Sequence, residues 1–155
     1  MARHGVELLT HPQWLVDDNL GQVALAVEWF LKAQTSATAL LMNNDENAMV
    51  ALSVLEAHGY SVSADFSVVG DDDIPLASFC RPALATVSGP DPEQISLAAF
   101  DMLSALIKDP NAQVSRQVFK RTYIPRESVG VARIVADGAT HIATHISTHT
   151  SGSQP

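Results

Sequence analysis

The sequence predicts an α/β fold, a mostly parallel sheet flanked by helices. Two observations carry this. Continuous apolar runs of strand length, such as residues 38–42 and 66–69, alternate with longer stretches whose apolar residues recur every three or four positions. Each of those two runs also ends in a polar cluster, as parallel strands do when they leave a sheet that helices cover.

Taken in order, residues 6–9 (Val-Glu-Leu-Leu) read as a short strand broken by His11 and Pro12, with Trp14 in the loop beyond. Asp17, Asp18 and Asn19 offer caps for a helix over 20–33, on the stripe Val23, Val27, Phe30 and Leu31. Residues 38–42 form a buried strand. After Asn43, Asn44 and Asp45, a helix follows on Ala48, Met49, Leu52, Val54 and Leu55, closed by Gly59. Residues 66–69 make the next strand, ended by Gly70, Asp71, Asp72 and Asp73. The proline-flanked residues 74–82 predict a loop with one helical turn, and 84–87 a third short strand. Asp91 caps a helix over 93–108 with the stripe Leu97, Phe100, Met102, Leu103, Leu106 and Ile107. Residues 117–124 alternate, as an edge strand does.

Composition sets the outer bounds. At 155 residues and 46 % apolar, the chain has the size and content of one domain with a true core. A charged fraction of 17 % is too low for an intrinsically disordered chain. Nine Lys and Arg against 17 Asp and Glu give a net charge of −8, which speaks against this chain gripping a nucleic-acid backbone by itself. The single cysteine, Cys80, excludes an internal disulfide and fits a cytoplasmic location. The apolar runs fall far short of the ~20 residues of a membrane helix, and no apolar stretch follows Met1 as in a signal peptide.

Residues 130–155 read as a tail separate from the domain at 1–129. From Thr140 the tail repeats Thr-His-Ile-Ala, Thr-His-Ile-Ser, Thr-His-Thr-Ser, a low-complexity pattern that does not resemble core sequence. His141, His145 and His149 would share a face if the tail were helical, which suits zinc. The flanking Thr and Ser disfavour a helix, so no metal and no cofactor are predicted.

Ligands of open parallel sheets bind beyond the carboxyl ends of the strands. Asn44 and Asp45 lie there after one strand, and Asp71, Asp72 and Asp73 after another; Trp14 follows the first strand. Carboxylates accept from hydroxyls, an amide does both, and an indole covers the apolar face of a sugar. The group suits a sugar or polyol. Each residue also has a plainer reading: Asn44 and Asp45 as helix caps, Trp14 as cover for the core edge, and Cys80 as a small packing residue. The aspartate cluster admits a second function, Mg²⁺-dependent phosphotransfer, but no lysine stands at another strand end to support it.

Four collinear segments resemble the LacI/GalR family of bacterial repressors. Residues 41–52 (Leu-Met-Asn-Asn-Asp-Glu-Asn-Ala-Met-Val-Ala-Leu) resemble its "NDxxAxGAL" helix start. Residues 65–78 (Asp-Phe-Ser-Val-Val-Gly-Asp-Asp-Asp-Ile-Pro-Leu-Ala-Ser) resemble its "D-[IV]-S-V-V-G-[FY]-D-D-I-P-x-A" segment. Residues 81–87 (Arg-Pro-Ala-Leu-Ala-Thr-Val) are similar to "P-P-L-T-T-V", and residues 121–128 (Arg-Thr-Tyr-Ile-Pro-Arg-Glu-Ser) to its closing "L-x-x-R-x-S".

The resemblance implies a partial periplasmic-binding-protein-like (type I) lobe over residues 1–129. It covers most of the C-terminal lobe of the effector domain, without the helix-turn-helix headpiece, the first lobe or this lobe's first strand. That strand is central in such a sheet, so the expectation is a gap with unpaired neighbours. The resemblance also implies a non-enzymatic sensor of a small effector, sugar-like in kind, that dimerises and reaches operator DNA only through the headpiece. Asp72 matches the family's effector-binding aspartate and Asp73 its neighbour, Asn44 and Asp45 match its Asn-Asp pair, and Trp14 its stacking aromatic. Ser78, Phe79 and Cys80 lie where relatives form part of their dimer interface. Asp71 departs from the family's Phe or Tyr, Gly89 from a Gln common before Pro90, and the loop holding Trp14 is two residues longer than in some relatives.

Overall fold

The computed structural model describes residues 6–9, 19–109, 111, 113, 116–132 and 140–144. Trp14, His145 and His149 lie outside them.

The elements run β1 (Val6–Leu9), α1 (Leu20–Lys32), β2 (Ala37–Leu41), α2 (Asp45–Ala57), β3 (Ser67–Val69), a 3₁₀ turn (Pro75–Ser78), β4 (Thr86–Ser88), α3 (Pro92–Lys108), β5 (Thr122–Ile124) and β6 (Thr140–Thr144). The α/β alternation is therefore as the sequence predicts. Each helix begins on a side-chain cap. Asn19 accepts from the Gly21 and Gln22 amides, Asn44 from the Asn47 amide at 2.8 Å, and Asp91 from the Glu93 amide at 3.0 Å. Such caps satisfy donors the helix leaves open, each contributing on the order of 1 kcal/mol. Gly59, beyond the end of α2, sits at φ +80°, a conformation that favours glycine.

The main sheet has the order β1-β6-β2-β3 and is parallel throughout. β4 joins the free side of β3 through a parallel bridge, Val69 to Ala85, and β5 pairs antiparallel with β4. Helices α1 and α2 pack on each other and on the sheet. Their buried side chains Val23, Val27, Phe30, Ala48, Leu52 and Leu55 meet Leu40, Val68 and Leu84 in one cluster. The Phe30 and Phe66 rings meet edge to face, with 5.7 Å between centroids.

Three expectations change. Residues 117–124 shorten to the three-residue strand β5, which does sit at an edge. The α3 stripe is not core: no residue of α3 is buried, and Phe100 is 68 % and Ile107 72 % exposed. Helical periodicity shows that a face is apolar, and it does not show that the same chain covers it. The third change concerns the tail. Thr140–Thr144 enters the sheet between β1 and β2, where a gap was expected. Backbone pairing explains this: an interior parallel position needs N–H and C=O groups on both sides, which any extended segment supplies, and Thr and Ile are strand formers. His141 accordingly lies in a strand rather than on a helix.

Candidate functional site

The carboxyl ends of β2, β3 and β4 come together at one edge of the sheet. The Met42 amide donates to Val69 O and the Gly70 amide to Ala85 O, both at 2.9 Å, and the Asp72 amide to Val87 O at 3.0 Å. This ladder brings the Asn44 and Asp45 region and the aspartate turn side by side, as expected for neighbouring strands. It also carries the turn past the end of β3, along β4.

Asp45 faces inward. It is 1 % exposed, and its carboxyl group is occupied on both sides. Oδ1 accepts from the buried Thr86 hydroxyl at 2.5 Å, and Oδ2 from the Ile74 amide at 2.9 Å. It thus ties the start of α2 to β4 and to the end of the aspartate turn. Gly70 is required beside it, because a Cβ there would lie 2.1 Å from Asp45 Oδ1. Asn44 takes the capping role that its plainer reading gives it.

The three aspartates of the turn divide sharply. Asp71 is held by the Arg121 guanidinium. Asp73 is paired with Arg126 at 2.6 Å, and Arg126 also donates to Leu84 O at 2.8 Å. Asp72, between them, is exposed and receives no hydrogen bond or ion pair at its carboxyl group among the described residues. Its pKa is raised above the ordinary carboxylate value, first by partial desolvation and then by Asp71 and Asp45, against the lowering influence of Arg121. Asp72 and Asp73 both occupy positive φ, +107° and +56°. Non-glycine residues in such conformations cost of order 1–3 kcal/mol, and they persist where the surroundings enforce them. Here the two arginine pairs and the β4 ladder do so. Gly89, just after β4, lies beside Arg121: a Cβ there would be 3.9 Å from its guanidinium.

Arg121, Arg126 and Thr86 are residues that sequence reasoning did not single out. A signal was available: in a chain with nine cationic residues, two arginines five positions apart flank a strand and can answer a run of three aspartates. The same pairs weaken the phosphotransfer reading, because Asp71 and Asp73 are each engaged by a guanidinium. Among the described residues no cluster of three or more His, Cys, Asp or Glu suits a metal.

At the proposed interface residues, Phe79 is 75 % exposed. Ser78 Oγ donates to Pro75 O at 2.8 Å, and Cys80 Sγ to Ala77 O at 3.1 Å. No helix among the described residues is long and apolar enough to cross a membrane.

Residues 1–129 match the model of the periplasmic binding protein-like domain. The ribose operon repressor of Haemophilus influenzae is 30 % identical over 126 residues, 79 % of this chain and 37 % of the repressor. The probable HTH-type transcriptional repressor ExuR of Bacillus subtilis is 33 % identical over 104 residues, 67 % of this chain and 31 % of that protein. The chain thus spans about a third of the length of these relatives. Among solved structures, a LacI-family sugar-binding transcriptional regulator from Escherichia coli, complexed with phosphate, superposes with a TM-score of 0.64. It is 28 % identical, over 83 % of this chain and 45 % of that one. A LacI-family regulator from Arthrobacter, in complex with lactose, gives 0.60 at 29 % identity over 72 % and 42 %.

Proposed function

We propose that this chain, which belongs to the periplasmic binding protein-like domain family in its LacI/GalR branch, is the effector-sensing part of a transcriptional repressor. Its relatives are repressors, not enzymes. The observation that carries the reading is Asp72, a carboxyl group with no partner of its own between two that are locked by arginine, at the strand edge where such folds bind ligands. A group that receives no donor from the described residues is ready to take one from a ligand hydroxyl. Sugars are the effector class favoured, in keeping with a ribose repressor and a lactose-bound regulator among the relatives. Asp45 and Asn44 act behind the site by fixing the turn and the start of α2. Asp73 positions Asp72 through Arg126. Trp14 is assigned the stacking role its place in the sequence suggests. Operator contact is assigned outside this acidic lobe, and the location to the cytoplasm.

Asp72→Asn tests this with opposite signs in two measurements. With its pKa raised in the fold, Asp72 is stabilising when protonated, and that contribution is lost as pH rises through its folded value. Asparagine tolerates positive φ and removes the charge. The variant is therefore expected to melt roughly 1–2 °C above the parent at neutral pH, with the gain fading toward the acid end of the carboxylate range. In amide NMR titrations with millimolar ribose or lactose, the parent is expected to shift around Asp72 and Gly89, and the variant to lose at least about tenfold in affinity. Equal titration of parent and variant, or no shift at that edge with either sugar, counts against the assignment.

Dimerisation is proposed through the segment Ser78, Phe79 and Cys80, with the apolar face of α3 as the further surface that association would cover. Sedimentation velocity should show a dimer in the parent and a monomer in Phe79→Glu/Phe100→Glu. A monomeric parent at high micromolar concentration rejects this interface.

A further inference from the structure

Ser88 of β4 is level with Thr122 of β5 in an antiparallel pair, so Arg121, one residue before, comes beside Gly89, one residue after. From there its guanidinium reaches the aspartate turn and donates to Asp71 Oδ1. Among the described residues Arg121 makes no other hydrogen bond, and its side chain is 46 % exposed. Most of its N–H groups therefore stay open. The second Asp71 oxygen and both oxygens of Asp72 likewise take no donor among the described residues. Arg126 has little left to offer, because it is engaged by Asp73 and by Leu84 O. The charges that act on Asp72 are unequal: Asp71, the buried Asp45 and Glu46 in the first turn of α2 are set against Arg121. An exposed ion pair contributes little stability by itself, so the Asp71–Arg121 pair matters for what it presents at this edge.

We propose that Asp71 and Arg121 set the charge specificity of the Asp72 edge, and that its effector is a neutral or amino-substituted sugar rather than a sugar acid or sugar phosphate. This rests on the assignment of Asp72 to the effector site and adds to it a ligand class and two residues. An acidic ligand meets two obstacles. The guanidinium it needs already holds a carboxylate of the chain, and Asp72 stands close by with like charge. A hydroxyl meets neither. It can donate to Asp72 and accept from an open N–H of Arg121, so one sugar edge is served by both. An ammonium group gains further from the excess of negative charge. Asp71 is the positioning residue: it holds the guanidinium in place and cancels its pull on anions.

Glucose, glucosamine and glucuronate share a pyranose ring and differ in charge, so amide NMR titrations of the full chain at low salt test this. In the parent, glucose and glucosamine should shift the amides of 71–73 and 89, with glucuronate at least about tenfold weaker than glucosamine. In Asp71→Asn the guanidinium is released, and glucuronate should bind at least about tenfold more tightly than to the parent. In Asp71→Asn/Arg121→Gln that gain should vanish. Equal affinity of the parent for glucosamine and glucuronate overturns the charge specificity, whatever the variants do. Unchanged glucuronate affinity in Asp71→Asn overturns the role of Asp71. A gain in the double variant as large as in the single one overturns the role of Arg121, because loss of any negative charge would then suffice. No shift at this edge with any of the three sugars, in parent or variants, overturns the assignment of Asp72 itself, and the specificity falls with it.

Discussion

Asp45→Ala should lower the melting temperature by roughly 10–20 °C, equivalent to about 3–5 kcal/mol. The substitution leaves two donors without an acceptor, the fully buried Thr86 hydroxyl and the Ile74 amide. Each orphaned buried donor costs about 1–3 kcal/mol. The first turn of α2 also loses an acidic residue from its positive end, for a few tenths more. Thr86→Val separates the pair from the background: in a double-mutant cycle it should couple to Asp45→Ala by at least about 1 kcal/mol. Chemical denaturation of the four proteins gives the numbers. A loss below about 1 kcal/mol for Asp45→Ala would mean that the turn is held by its arginines alone. The outcome bears on function, because the same carboxyl group fixes the end of the turn that presents Asp72.

The position of that turn was legible in the sequence, and most of its wiring was not. Strand runs that end in Asn44, Asp45 and Asp72 announce a carboxyl edge, because hydrophobic runs and polar ends are properties of consecutive residues. Asp45 shows the limit: buried or exposed, it reads the same in sequence, and only the approach of Thr86, 41 positions away, decides which. Arg121 and Arg126 answer Asp71 and Asp73 over separations of 50 and 53 residues, which no local pattern records. The α3 stripe misled for the opposite reason. Leu97, Phe100 and Ile107 have the spacing of a core face, yet periodicity does not name the surface that covers them. β6 escaped because its threonines and histidine lack the apolar character of an interior strand, while its contribution to the sheet is made by the backbone.

Ser128→Ala should cost about 2–4 kcal/mol, although it removes a single oxygen. Ser128 is fully buried and joins two segments that come from distant parts of the chain. Its amide donates to Ala83 O and its carbonyl accepts from the Val68 amide, both at 2.9 Å. Its hydroxyl accepts from the Ala85 amide at 2.8 Å and donates to Val68 O at 2.6 Å. Alanine preserves the two backbone bonds and strips the two made by the side chain, leaving a buried N–H and a buried C=O short of partners. The closing serine of the family-like segment is thus a clasp between β3 and the approach to β4. Because the Asp72 amide hangs on Val87 of β4, loosening the clasp should also speed hydrogen exchange at Asp72 while leaving the α1 and α2 amides unchanged. Urea denaturation and amide exchange of Ser128→Ala check both parts. A stability change under about 0.5 kcal/mol would show that water satisfies Ala85 in place of the hydroxyl, and the role of Ser128 would then rest on its backbone alone.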